Sequence, residues 1–203
     1  MGWWTDQVVP RVEPAVLSSE LLVPYRRRAC AGLAGTVLEI GFGAGYNVPL
    51  YPAEVRRVLA VDPSVLGWEQ SAGRRARARA DVVRVGADAQ AVPLDDASVD
   101  AVLSTLTLCT VPDPAAALRE VTRVLRPGGT FHLLEHGLSD DDRVARRQRR
   151  HTRWWSHVAG GCHLDRDVPA MCEAAGLRVV RMEASDAGRP RAWAHVYEGV
   201  ATV

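Results

Sequence analysis

Residues 36–43, TVLEIGFG, form an apolar run that ends in glycine, and glycine recurs at 41, 43 and 45. An apolar strand that feeds a glycine-rich turn usually starts an α/β nucleotide-binding unit. Four further runs fit strands: VRRVLAVDP (55–63), DVVRVGAD (81–88), VDAVLSTLTL (99–108) and TFHLLEHG (130–137). Helical patterns separate them. SVLGWEQSAGRRARARA (64–80) starts at a potential N-cap, Ser64, and the amphipathic DPAAALREVTRVL (113–125) is stopped by Arg-Pro-Gly-Gly at 126–129. A basic helix and a short helix near 167–175 follow. Strands that alternate with helices predict an α/β fold, a mainly parallel sheet with helices on both faces. The last two strand patterns, LRVVRMEA (177–184) and AWAHVYEGVA (192–201), follow each other without a helix, so one of them should run antiparallel.

The length of 203 residues suits one domain, and 47% hydrophobic with 24% charged residues suits a globular chain. A net charge of +1 gives no overall attraction to nucleic acid or an anionic surface, and no nucleic-acid partner is expected. All 25 basic residues are Arg, Ile40 is the only Ile and Asn47 the only Asn. That bias fits a GC-rich, bacterial-type genome and draws attention to an Asn inside the glycine turn. The four cysteines (30, 109, 162 and 172) show no CxxC spacing, which fits reduced thiols and a cytoplasmic location. No apolar run of 18 residues occurs, so no transmembrane anchor is expected.

The glycine spacing is G-x-G-x-G, with Tyr46 where a dinucleotide turn would carry its third glycine. Glu39 stands two residues before the turn. A carboxylate there would repel a pyrophosphate and attract a ligand with a cationic amino-acid end. S-adenosylmethionine has such an end, with a sulfonium beside it. Asp62 closes the second strand, where its carboxylate can accept two ribose hydroxyls. Asp88 closes the third strand and can reach an adenine amino group, with the Ala89 N–H beside it.

VLEIGFGAGYN, VDP, GADAQAVPLDDASVDAVLS and LREVTRVLRPGGTFHLLEHG resemble, in order and spacing, the motifs of class I S-adenosylmethionine-dependent methyltransferases. The resemblance spans roughly residues 36–137. It implies a Rossmann-like seven-stranded sheet with a reversed final hairpin and S-adenosylmethionine as cofactor. It also implies cofactor contacts from Glu39, Gly41, Gly43, Gly45, Asp62, Asp88 and the turn Ser104–Thr105–Leu106; Phe42, Asn47, Pro63 and Ala89 complete the expected set. STLTLCTV (104–111), EHG (135–137), the Trp pair at 154–155 and GGCHLDRD (160–167) are similar to the methyltransferase-like 7 group, which includes alkyl thiol methyltransferases. Animal members of that group carry an N-terminal hydrophobic anchor with no counterpart in this chain.

These readings divide the chain into an N-terminal lid (1–35), a cofactor core (36–137) and an acceptor side (138–203). Trp4, Trp154, Trp155, Cys162 and His163 are candidates to line an acceptor pocket, and His136, at the end of the fifth strand, is the candidate general base. Cys162 and His163 are two potential metal ligands, and two donors do not make a zinc site, so no metal is expected. The chain offers no compelling base constellation, which agrees with a thiol or an amine acceptor. A small thiol ionises readily, and S-methylation in bacterial secondary metabolism is the leading expectation. Two alternatives stay open: N- or O-methylation of an amine, phenol or phospholipid head group, and a cofactor-binding regulator without turnover. The sequence does not fix an oligomeric state.

Overall fold

A computed structural model describes residues 20–203. Seven strands form one sheet in the order β3-β2-β1-β4-β5-β7-β6. These are β1 (Gly35–Ile40), β2 (Val55–Val61), β3 (Asp81–Gly86), β4 (Val99–Thr105), β5 (Leu125–His136), β6 (Arg178–Asp186) and β7 (His195–Thr202). The first five run parallel. Strand β7 inserts antiparallel between β5 and β6, which gives the expected reversed final hairpin.

The helices are α1 (Val23–Cys30), α2 (Val65–Gln70), α3 (Ala72–Arg75), α4 (Pro114–Val124), α5 (Asp142–Val158), α6 (Val168–Ala174) and α7 (Arg191–Ala194). Caps fix four of their starts. Ser64 accepts from the Gly67 N–H, Asp113 from Ala116, Asp141 from Arg143 and Asp167 from Ala170. The apolar stripe of α4 (Ala117, Leu118, Val121, Val124) packs on one sheet face with Leu38, Ile40, Val102 and Phe131. On the other face α1 lays Ala29 and Cys30 against Val37, Leu103, Leu134 and Val196.

Several boundaries differ from the sequence expectation. Strand β1 stops at Ile40 because Gly41 turns to φ +72°, and β4 stops at Thr105 because Leu106 takes φ +55°. The single helix expected over 64–80 is two short helices ending at Arg75. The Ser71 hydroxyl donates to the Trp68 carbonyl at 2.6 Å and competes with the helical ladder at their junction. Residues 191–194 are helical rather than the start of the last strand. Arg126–Gly129 bulge out of β5, since Val99 pairs with Leu125 and Ala101 with Thr130.

Strand register aligns Ile40 with Val61, Val61 with Gly86, Ile40 with Ser104 and Thr105 with Leu134. The turns after β1 to β5 therefore line one edge of the sheet, where ligands of open α/β folds bind.

Candidate active site

The glycine turn has a closed side and an open one. A Cβ at Gly41 would collide with Thr107, whereas one at Gly43 would meet nothing within 4 Å. The turn is pinned from beneath by Gly67 of α2, whose missing Cβ would lie 3.0 Å from the Gly43 carbonyl carbon. Gly45 is equally close-packed, between Phe42, Val48 and Ser71, and Phe42 is buried against the Trp68 ring.

Glu39 is fully buried. Asn47 Nδ2 donates to its Oε1 at 2.9 Å, and the Tyr51 hydroxyl donates to Oε2. Burial pushes its carboxyl up to about 7, against the opposing pull of Tyr51, Asn47 and Arg26. Asn47 is buried too. It makes no helix cap; its Nδ2 also donates to Thr105 Oγ1, and its Oδ1 accepts from Arg26 Nη1 at 3.0 Å. Arg26 Nη1 donates to Thr105 Oγ1 as well, while its Nε is buried without a partner. The guanidinium is only 4% exposed, and the nearby Glu39 carboxyl offsets part of the cost of burying its charge.

Asp62 is half-buried beyond β2. Its Oδ2 accepts from the Gly43 N–H at 2.8 Å and its Oδ1 from the Ser64 N–H at 2.7 Å. Burial raises its pKa despite these two bonds. The carboxylate therefore ties the glycine turn to α2 and retains lone pairs on both oxygens. Pro63 beside it is exposed, and so is Asp88, whose Oδ1 accepts from Gln90; these bonds lower its pKa. Ala89 is buried.

The turn after β4 is held by a carboxylate that the sequence reading did not single out. Buried Glu135 accepts from Ser104 Oγ at 2.5 Å, from the Thr107 N–H and from the Cys109 N–H. These bonds, and one from the Leu106 N–H to the Leu134 carbonyl, hold Leu106 in the left-handed region that side chains avoid.

Two expected acceptor residues, Trp155 and Cys162, come together beside the candidate base His136, and the others do not. Cys162 packs with Cys109, Leu164 and Trp155, and Trp193 of α7 closes the group. His136 Nδ1 lies 3.4 Å from Cys162 Sγ and 4.0 Å from Cys109 Sγ. Trp154 is 60% exposed and stands outside this group. His163 meets the site through its backbone, donating to the Cys109 carbonyl at 2.8 Å. Trp4 lies outside the described residues. Arg26, Cys109 and Glu135 were missed: Arg26 is one of 25 arginines, and Cys109 is 53 residues from Cys162.

Residues 38–133 match the family model of a methyltransferase domain. The human thiol S-methyltransferase TMT1A is 32% identical over 186 residues, which cover 82% of this chain and 71% of that protein. The chain belongs to the class I S-adenosylmethionine-dependent methyltransferases. The rat thiol S-methyltransferase TMT1B is 34% identical over 154 residues, 73% of this chain and 62% of TMT1B, so the match spans less than two thirds of that relative. Among solved structures, a Thermotoga maritima S-adenosylmethionine-dependent methyltransferase superposes over 99% of both chains with a TM-score of 0.69 at 22% identity. Membership in this methyltransferase class makes S-adenosylmethionine the cofactor that the edge of the sheet has to accommodate. The open face above Gly43 and the free lone pairs of Asp62 leave room and acceptors of the kind its ribose requires.

Proposed function

We propose that this chain methylates the sulfur of a small thiol with S-adenosylmethionine as donor. The cofactor supplies an activated methyl group on a sulfonium, so the protein has to position two reactants and exclude water. In this reading Arg26, buried against Asn47 and Thr105, lends positive charge to the side of the cofactor carboxylate. Asn47, itself held by Glu39, sets the position of Arg26, and the Glu39 carboxylate supplies the negative charge beside the ammonium. Asp62 accepts the ribose hydroxyls and Asp88 serves the adenine edge. The Leu106 turn, anchored by Glu135, faces the reacting centre.

The observation that carries the acceptor class is the likeness to TMT1A over most of both chains. It agrees with the chemistry of the site, because a thiol forms its own nucleophile near neutral pH with little help. A cytoplasmic setting is part of the same reading and rests on four unpaired thiols. No helix among the described residues is long and apolar enough to cross a membrane.

The test is a panel of acceptors with radiolabelled cofactor: alkyl thiols, amines, phenols and phosphatidylethanolamine. Label transfer to thiols, with S-adenosylhomocysteine formed in equal amount, is expected. Transfer to amines, phenols or the head group and not to thiols would replace this reading. Cofactor binding without transfer to any class would favour the regulator.

A further inference from the structure

Cys109, His136 and Cys162 come from three separate elements: the turn after β4, the end of β5 and the turn after α5. Their ligand atoms all lie within 4.8 Å of one another. Each is placed by specific contacts. Glu135 holds the Cys109 N–H, and the His163 N–H donates to the Cys109 carbonyl. Gly160 and Gly161 take φ +58° and +90°, and a Cβ at Gly161 would press on the Thr110 carbonyl at 3.2 Å. The glycine pair thus lets the Cys162 turn close on the Cys109 turn.

We propose that Cys109 Sγ, Cys162 Sγ and His136 Nδ1 form a binding site for a thiophilic divalent cation such as Zn²⁺, with a fourth position open to a thiolate. A tetrahedral zinc ion, with Zn–S of about 2.3 Å and Zn–N of about 2.0–2.1 Å, requires S···N separations of about 3.6 Å. The two separations here, 3.4 and 4.0 Å, bracket that value before any ion draws the ligands in. Two thiolates neutralise the charge of Zn²⁺ and a neutral imidazole leaves it unchanged. Before a fourth ligand binds, the neutral centre suits the apolar wall of Leu164, Ala159, Trp155 and Trp193, and Arg166 on the other side can offset the charge that a thiolate adds. Each thiol that ligates releases its proton to solvent, and no electron transfer is involved.

The other two cysteines show the contrast. Cys30 and Cys172 are buried among core residues, and neither belongs to the cluster. Three protein donors are one short of a closed structural zinc site and match the open arrangement that admits an exogenous ligand. A small thiolate is the ligand class that such an ion prefers. That last assignment rests on the thiol reading above; the metal site does not.

The experiment uses the full chain, reduced and stripped of metal with a chelator. Co²⁺ alone should bind at one equivalent, with the visible absorption of a tetrahedral ion and a thiolate-to-cobalt charge-transfer band. Zn²⁺ should displace it. Cys109→Ser, Cys162→Ser and His136→Ala should each weaken Zn²⁺ by roughly 100-fold or more, going beyond the 10–100-fold cost of losing a supporting contact. Cys30→Ser and Cys172→Ser should bind as the parent does. Ethanethiol added to the Co²⁺ form should shift the charge-transfer band.

A parent chain with no charge-transfer band overturns the site without recourse to any variant. So does a Cys109–Cys162 disulfide that thiol counting finds intact in reductant. Folded variants that bind Zn²⁺ normally also overturn it, with circular dichroism confirming the fold. An unshifted band with ethanethiol removes the open position. Uptake is read without cofactor, so a chain that holds Zn²⁺ but methylates no thiol sinks the acceptor reading alone.

Discussion

Glu39 is ionised in solution but buried here, and that makes its proton a probe of the site. Its carboxyl rises from the ordinary 4.5 to about 7 because burial disfavours the charge. A raised carboxyl pKa means the folded state binds the proton more tightly. This residue therefore favours folding most below pH 4.5, and its contribution is lost as pH rises to about 7. The shift corresponds to about 3 kcal/mol. Glu39→Gln should flatten this part of the stability profile, so the variant gains on the parent between pH 5 and pH 8. Urea unfolding at both values checks it; parallel profiles would mean that the charge is not buried. If Asp62 takes the ribose as proposed, Asp62→Ala removes two acceptors, each worth roughly 1.5–3 kcal/mol, so cofactor affinity should fall by about 100-fold or more. It also removes the bridge between the Gly43 and Ser64 N–H groups. Asp62→Asn keeps one acceptor oxygen and should lie between. Calorimetry with S-adenosylhomocysteine measures both, and near-parental affinity in folded Asp62→Ala would remove Asp62 from the cofactor site.

At the scale of elements, the five parallel strands were legible because each contains a short apolar run, and the turn after β1 declared itself by three glycines. Boundaries set by single torsions were not. Nothing in STLTLC marks Leu106 as left-handed, because the cause is Glu135, 29 residues on, gripping the turn behind it. The Cys109–His136–Cys162 group was illegible for the same reason, since only the sheet register and the Gly160–Gly161 turn bring it together. Gly67 shows how an element acts on the site without touching a ligand. Alanine there would improve helix propensity by about 1 kcal/mol. Its Cβ would also press on the Gly43 backbone at 3.0 Å. Gly67→Ala should therefore weaken cofactor binding roughly tenfold, about 1.4 kcal/mol, with little net change in stability. Gly73, whose Cβ would meet nothing within 4 Å, is the control: Gly73→Ala should gain about 0.5–1 kcal/mol and leave affinity alone. Equal affinities in the two variants would show that α2 does not set the turn.

The whole molecule brings Arg26 to the sheet edge through a contact at the far end of the chain. Helix α1 precedes β1, yet Arg28 on that helix grips Glu198 of β7 with both nitrogens of its fork, Nε to Oε1 at 2.6 Å and Nη2 to Oε2 at 2.8 Å. Glu198 is buried while Arg28 is 46% exposed. Removing Arg28 would leave a buried carboxylate without its partner, a loss of 3–5 kcal/mol for a fully buried pair. Solvent on the arginine side reduces that to about 1–3 kcal/mol. The same helix carries Arg26 two residues earlier, so loosening α1 should also blur the contact that Asn47 and Thr105 help to set. Arg28→Met is therefore expected to lower both unfolding free energy and cofactor affinity, although it lies outside the site. Arg28→Lys should restore only part of each, because an ammonium cannot reproduce the two-pronged bond. Arg57→Ala breaks an exposed pair with Asp81 and should change stability by less than about 1 kcal/mol. Urea unfolding and calorimetry on the three variants read both quantities. If Arg28→Met loses stability but keeps parental affinity, α1 is a structural brace and Arg26 does not depend on it.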